Sequence, residues 1–170
     1  MNEYYHSYFG KLDTTTLKEV DVIWERSFSL NNATFDISLW VSINTVLETT
    51  SLDAFAKLLQ NLPELDIYAR QQLIKMLLED KSYIEFHIEE LKLAEYSDTI
   101  SQLLTTANNE SISTQAFTNA MQLTGIGLWL DVPSFPLVIM DYMIDPENSD
   151  EILAVKLTTA GQLVAIDWES

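Results

Sequence analysis

The sequence predicts an α+β fold, in which an antiparallel β-sheet of about six strands carries a central block of three to four helices on one face. Apolar and polar residues alternate with the period of a strand in residues 1–45 and again in residues 125–170. Between them, in residues 51–123, apolar residues recur at the spacing of helical turns. Because no repeat, low-complexity tract or linker divides the 170 residues, we expect a single domain over residues 1–170.

The N-terminal segment, residues 1–45, is predicted to contain a β-hairpin. An aromatic arm, YYHSYFGKL, stops near Gly10, and two alternating runs follow at residues 20–30 and 33–43. The Asn31-Asn32 pair between the runs is a typical turn sequence, since asparagine tolerates the backbone conformations that tight turns need. One face of this hairpin is therefore expected to be buried.

Trp40 lies on the polar side of the second run. The apolar side of that run comprises Phe35, Ile37, Leu39, Val41 and Ile43. Trp40 has the opposite parity, which it shares with Asp36 and Ser38. Three roles stay open for it: covering the outer face of the sheet, packing under a helix, or anchoring a partner, since tryptophan is enriched at binding hot spots.

The middle segment, residues 51–123, is predicted to be helical. Ser51 is a suitable N-cap for the first helix, and Pro63 suits the first turn of the second. A third helix is expected over residues 81–96, followed by a loop at 105–113. Ser113 is then placed to cap a short fourth helix.

The C-terminal segment, residues 125–170, is predicted to form a four-stranded meander. Its strand candidates are residues 126–131, 135–144, 151–157 and 162–168. The turn between the second and third candidates crowds four acids into seven residues, namely Asp145, Glu147, Asp150 and Glu151. Its proline, asparagine and serine residues are ordinary turn formers. The turn is therefore either a solvated hairpin end or a contact surface for a partner.

Acidic residues dominate the charge of the chain. Twenty-six acidic residues against nine basic ones give a formal net charge of −17, and residues 111–170 contain eight acids and one base, Lys156. This field disfavours binding to nucleic acids and to anionic membranes, and it attracts a basic protein. The absence of cysteine excludes disulfides and thiolate zinc sites. The first twenty residues show no secretory signal, so we expect a cytoplasmic protein.

No motif for catalysis or for a cofactor emerges from the sequence. Of the two histidines, His6 lies in the aromatic arm and His87 lies within a predicted helix, and no pair has metal-binding spacing. Gly125 and Gly127 form the one close glycine pair, and no phosphate-binding loop follows them. The acidic turn lacks the central glycine and the ligand spacing of a calcium loop. We therefore expect no cofactor, no metal and no enzyme activity.

Several short phrases occur in a distinctive order along the chain. They are YFGKL at residues 8–12, IGL at 126–128, DY at 141–142, SDEIL at 149–153, VKL at 155–157, Gly161, and the pair Glu169-Ser170. This order resembles an uncharacterised family of small acidic bacterial proteins, classed as a domain of unknown function. The resemblance implies a similar fold. Some small acidic proteins of this style look like immunity proteins encoded beside bacterial toxins, which implies a role in protein binding.

These observations together predict a non-catalytic acidic binding protein that neutralises or sequesters a basic protein partner. The expected contact residues are Trp40, Asp131, Asp141, Asp145, Glu147, Asp150 and Glu151. One alternative is a structural protein that self-associates, for example as a homodimer through the sheet face around Trp40. Another is an enzyme with a carboxylate-based site, for which Asp141 and Asp145 are the best candidates.

Overall fold

The strands of the protein were identified in a computed structural model, which describes residues 3–108, 110–130 and 135–170. A short hairpin comes first, and the longer strands lie on both sides of the helical segment along the chain. The strands are β1 (Glu3–His6), β2 (Gly10–Asp13), β3 (Val20–Leu30), β4 (Ala33–Ser42), β5 (Gln122–Trp129), β6 (Leu137–Met143), β7 (Ile152–Thr158) and β8 (Leu163–Glu169).

Five α-helices connect β4 to β5 within the described residues. They are α1 (Thr49–Gln60), α2 (Leu62–Glu79), α3 (Ser82–Glu85), α4 (Asp98–Thr106) and α5 (Thr114–Ala120). A π-helical turn (Phe86–Glu90) and a 3-10 turn (Leu93–Glu95) lie between α3 and α4. None of the helices in the described part of the chain is long and apolar enough to cross a membrane.

The main sheet has six strands in the sequential order β3-β4-β5-β6-β7-β8. Neighbouring strands are antiparallel except β4 and β5, which are parallel. The α+β class and the six strands agree with the sequence prediction, but the expectation of a purely antiparallel sheet is wrong for this pair. The helical segment returns the chain to the starting end of β4, so β5 runs in the same direction as β4.

The hydrophobic core lies between the sheet and the helices. Alternate residues of each central strand are buried, including Ile37 and Leu39 in β4, Leu128 in β5 and Val155 in β7. They share one cluster with apolar residues of the helices, such as Leu73 in α2. The helices therefore cover one face of the sheet, as the sequence predicted, and the other parity of each strand faces away from them.

The aromatic arm at the N-terminus forms a hairpin of its own, β1–β2, instead of joining the main sheet. His6 Nδ1 accepts hydrogen bonds from the backbone N–H groups of Tyr8 and Phe9, so Nε2 donates to Asp53 of α1 at 3.0 Å. The ring of Phe9 also meets Trp24 of β3 edge-on, with centroids 4.9 Å apart. These contacts close one end of the core.

The third predicted helix, residues 81–96, is broken into short pieces. Lys92 has a φ of 48°, a left-handed conformation that does not continue a right-handed helix. The next helix, α4, was not expected from the sequence. Its N-cap is Ser97, whose hydroxyl accepts from the Ile100 N–H at 3.3 Å. The prediction of Ser51 as the cap of the first helix is also wrong, because α1 already begins at Thr49.

The buried carboxylate of Asp66 connects the second helix to the sheet. Asp66 of α2 is 2% exposed and accepts hydrogen bonds from Arg70 Nε at 3.0 Å, from the Tyr142 hydroxyl at 2.7 Å and from Asn31 at 3.3 Å. Arg70 Nη1 donates to two carbonyls near the end of α5, at 2.7 and 2.9 Å. Burial and the neighbouring carboxylate raise the pKa of Tyr142 well above its usual value.

Candidate functional site

The face of the sheet that the helices leave open contains a groove of about 370 Å³. It runs along β5 between β4 and β6, and side chains of the outward parity form its walls. The lining residues are Asp36, Ser38, Trp40, Thr124, Gly125, Ile126, Gly127, Trp129, Ile139, Asp141 and Glu169. We call this feature the open-face groove. Two of the residues predicted from the sequence, Trp40 and Asp141, therefore lie in one site.

Two glycines of β5 create the depth of the groove. In the sheet register Gly125 lies between Asp36 of β4 and Asp141 of β6. A Cβ added at Gly125 would lie 3.9 Å from Asp141 Oδ2 and from the Asp36 carbonyl oxygen, which are ordinary contact distances, so the space above this residue admits a small group without displacing its neighbours. A Cβ at Gly127 would lie 2.5 Å from the indole nitrogen of Trp129. The second glycine is therefore required for the Trp129 ring to lie over the backbone.

Trp40 and Trp129 stack across the parallel strand pair at one end of the groove. The two residues are register partners, and their rings are 4.9 Å apart with an interplanar angle of 4°. Both side chains are partly exposed. Neither indole N–H donates a hydrogen bond to any residue that the structure describes. The pair thus presents a flat aromatic surface, and two indole donors without a partner among the described residues, on a face that none of the described helices covers.

Carboxylates surround the other end of the groove. Asp36 is exposed and accepts a hydrogen bond from Ser27. Lys156, on the same face, donates to Asp167 at 2.6 Å and to Glu169 at 3.0 Å. Asp141 forms no hydrogen bond through its carboxylate with the described residues. The only lysine of the C-terminal segment is therefore engaged by other acids, and Asp141 is left uncompensated.

Asp141 is the carboxyl group of the groove whose pKa is shifted by its surroundings. Burial, followed by the charge of Glu169, raises its pKa from 3.8 to about 6, while the charge of Lys156 acts in the opposite direction. The group is half-buried and faces the open space above Gly125. A cation placed in this space would relieve its unfavourable environment. Chemically, such a carboxyl group can also exchange a proton near neutral pH.

The acidic turn, residues 145–151, lies apart from the groove and docks against the helices. Asp145 is only 8% exposed, and it accepts hydrogen bonds from Asn148 at 3.0 Å and from the Glu147 N–H at 3.3 Å. Burial tends to raise its pKa, but hydrogen bonds from Ser97, Asn148 and the turn backbone together lower the pKa below its usual value. Asp145 is therefore a structural acid, not the solvated one that the turn sequence suggests.

The remaining acids of the turn differ in whether their side chains are exposed or already hydrogen-bonded within the protein. Glu147 and Asp150 are exposed. Glu151 accepts a hydrogen bond from the Trp168 indole through its side chain, and its carbonyl accepts one from the Tyr83 hydroxyl at 2.7 Å. Asp131, the last acid predicted as a contact residue, lies outside the described residues. The predicted contact residues that the structure describes therefore lie in two separate places, the groove and the turn.

His87 fastens the acidic turn to the helices. Its ring is fully buried, and Nδ1 lies 2.7 Å from the Tyr83 carbonyl, which only accepts, so Nδ1 carries the proton. Nε2 then accepts from the Ser149 hydroxyl at 3.0 Å. Burial lowers the pKa of His87, which agrees with this neutral form. The serine–histidine contact resembles part of a catalytic triad, but the histidine has no access to solvent.

Several residues of the groove were not predicted from the sequence as site residues. Trp129, Gly125 and Asp36 belong to it only because β5 pairs with β4 and β6. Glu169 reaches it from β8, through the pairing of β6 with β7 and of β7 with β8. One signal was available: Asp36, Ser38 and Trp40 share the polar parity of their strand. Among the described residues, no three histidine or acidic side chains are arranged to hold a metal ion.

Comparison of the chain with protein-family models, with curated proteins and with solved structures found no match. The resemblance to a family of small acidic bacterial proteins therefore stays an expectation from the sequence.

Proposed function

We propose that the protein is a non-catalytic binding protein of the bacterial cytoplasm, which neutralises or sequesters a basic protein partner through the open-face groove. The concrete case is an immunity protein that covers the cationic active site of a toxin. The observation that carries the proposal is the combination of a stacked, partly exposed tryptophan pair with unpaired carboxylate charge in one groove.

Charge and aromatic surface would contribute in different ways. A net charge of −17 steers a cationic partner toward the protein and raises the association rate. Trp40 and Trp129 offer the rigid apolar surface that supplies affinity at interface centres. The groove is favoured over the acidic turn as the centre of the contact, because Asp145 and Glu151 are already engaged within the protein.

Two other functions have one supporting observation each. The open sheet face with its tryptophans would suit a homodimer, although two copies would bring like charges together at the interface. Sedimentation at two protein concentrations tests this function. The raised pKa of Asp141 would suit a carboxylate-based enzyme, for which the neighbouring groove acids are Asp36 and Glu169.

The proposed function is tested by affinity capture from bacterial lysate at low salt, where electrostatic steering is strongest. Three forms of the protein are immobilised: the wild type, a Trp40→Ala/Asp141→Asn variant, and Glu89→Gln as a matched control. Glu89 is an exposed acid of the helical layer, so the control removes one charge without touching the groove. A basic protein retained by the wild type and the control, but not by the groove variant, supports the proposal. Equal retention by all three contradicts it.

A further inference from the structure

The open space above Gly125 has a defined chemical character. Asp141 of β6 reaches it from one side, with Oδ2 3.9 Å from the position that a Cβ of Gly125 would take. On the other side lies Asp36 of β4, which lines the groove and whose carboxylate also accepts a hydrogen bond from Ser27; the two strands lie roughly 10 Å apart across β5. The floor is glycine backbone, and the groove volume of about 370 Å³ leaves room for a planar cationic group beside these acidic residues.

An aromatic surface continues directly from this space along the strand. The Trp129 indole lies over Gly127, and Gly127 is two residues from Gly125, which corresponds to roughly 7 Å along a strand. An arginine side chain has about this length when extended, and its flat guanidinium and aliphatic stem both pack well on aromatic rings. Lys156, a nearby cation in the described part of the chain, does not fill the site, since it binds Asp167 and Glu169 instead.

We propose that the open-face groove binds one arginine side chain of the basic partner, with its guanidinium between Asp36 and Asp141 above Gly125 and its stem against the Trp129 indole. This inference rests on the proposed function and specifies the group that the groove recognises. Arginine fits better than lysine, because a guanidinium donates to two carboxylates through a rigid fork and loses less hydration on burial.

The probe for this inference is a blocked tripeptide, acetyl-Gly-Arg-Gly-amide, with the citrulline and lysine peptides as comparisons. Citrulline has nearly the shape of arginine but no charge. Binding is followed by the NMR resonance of the Trp129 indole N–H, assigned by its loss in Trp129→Phe. We expect the arginine peptide to shift this resonance at millimolar concentration, since a single side chain binds weakly. The citrulline peptide should bind roughly tenfold more weakly or not at all.

Two variants test the location of the site. Gly125→Val fills the open space with a residue that strands favour, and Asp141→Asn removes one carboxylate charge with little change in shape. Ala165→Val is the matched control, because Ala165 is a partly exposed residue of β8 that does not line the groove. We expect both groove variants to lose the shift and the control to keep it. Thermal melting of each variant separates lost binding from lost folding.

The pH dependence provides a second readout. Because the pKa of Asp141 is raised to about 6, its charge is lost between pH 7 and pH 5, and peptide affinity should fall severalfold over this range. Among the described residues, the other charged groups near Asp141 on this face are Asp36, Lys156, Asp167 and Glu169. An affinity of the wild type that stays constant between pH 7 and pH 5 would contradict a role of Asp141 in binding.

The outcomes distinguish this inference from the proposed function. Equal binding of the arginine and citrulline peptides, a shift that survives both groove variants, or no shift in the wild type overturns the arginine site. A lysine peptide that binds as tightly as the arginine peptide overturns the assignment of a guanidinium. If the peptide fails but affinity capture still depends on Trp40 and Asp141, the proposed function stands alone. If the peptide binds but no basic protein is captured, the proposed function fails instead.

Discussion

Replacement of Asp141 by asparagine is expected to stabilise the protein at neutral pH while it weakens the binding site. The folded state raises the pKa of Asp141 from 3.8 to about 6, so folding disfavours the charged form. A tenfold change in proton affinity corresponds to about 1.4 kcal/mol, which gives an upper limit of about 3 kcal/mol. Because the carboxylate is partly exposed to solvent, we reduce this to about 1–2 kcal/mol.

The sign of the effect depends on pH in a defined way. Below about pH 4 Asp141 is protonated in both the folded and the unfolded chain, so it costs the folded state nothing. As the pH rises from 3.8 to about 6, the unfolded chain releases the proton first, and the stability of the fold decreases. Asparagine resembles the protonated acid at every pH. The variant should therefore match the wild type near pH 4 and exceed it above pH 6.

Urea unfolding of both proteins at several pH values measures this difference. In thermal melting at neutral pH, the melting temperature of Asp141→Asn should rise by roughly 2–8 °C, since about 1–2 kcal/mol is gained and a chain of this size shifts by about 2–4 °C per kcal/mol. The reasoning is refuted if the variant is no more stable at pH 7, or if its gain is the same at pH 4 and pH 7. A gain confined to neutral pH would mark Asp141 as a residue kept despite its cost to stability, as binding residues often are.

Three further changes have defined outcomes. Asp66→Asn should destabilise the protein by about 2–4 kcal/mol in urea unfolding, because it leaves the partly buried guanidinium of Arg70 without its counter-charge; a loss below about 1 kcal/mol would contradict this role. Burial lowers the pKa of His87, so the wild type should become less stable as the pH falls below about 6.5. His87→Gln should reduce the slope of the melting temperature against pH. An unchanged slope would argue against the buried neutral histidine. Gly127→Ala should displace the Trp129 ring and alter the near-ultraviolet circular dichroism of the tryptophan stack, whereas Gly125→Ala should not; identical spectra for both would be inconsistent with the groove geometry.

The strands were largely predictable because their alternation is strong. The run containing Phe35, Ile37 and Leu39 places three buried residues on one face, and no helix would separate them from polar neighbours in this way. The direction of β5 relative to β4 was not predictable from local patterns. It depends on where the helical segment ends in space, and alternation is the same in parallel and antiparallel strands.

Helix boundaries were less predictable from the sequence than strands, because they depend on single residues. Lys92 ends the third helix by adopting a left-handed conformation. A lysine side chain does not favour this conformation, so the sequence does not predict it. Ser97 was an available signal for the start of α4, since serine is a common N-cap. The apolar residues of this stretch continue the preceding helical period, which concealed the break.

Part of the candidate site could be predicted from the sequence. Trp40 stood out as a large aromatic residue on a polar parity, and Asp141 as an acid within a strand. Asp145 appeared to be their equivalent, but its burial and hydrogen bonds arise from Asn148 and from Ser97 in the helical layer. Contacts between distant segments decide which acid is engaged and which is free, and a single sequence does not record them.

The parallel pairing of β4 with β5 makes the groove a joint product of both ends of the chain. Trp40 precedes all the helices and Trp129 follows them, so neither the N-terminal strands nor the C-terminal meander contains the site by itself. Closing so long a connection is entropically costly, and the two indoles meet only when β4 and β5 have paired. A partner that binds here therefore selects completely folded molecules and stabilises the whole fold by mass action. Binding would thus distinguish folded chains from incompletely folded ones.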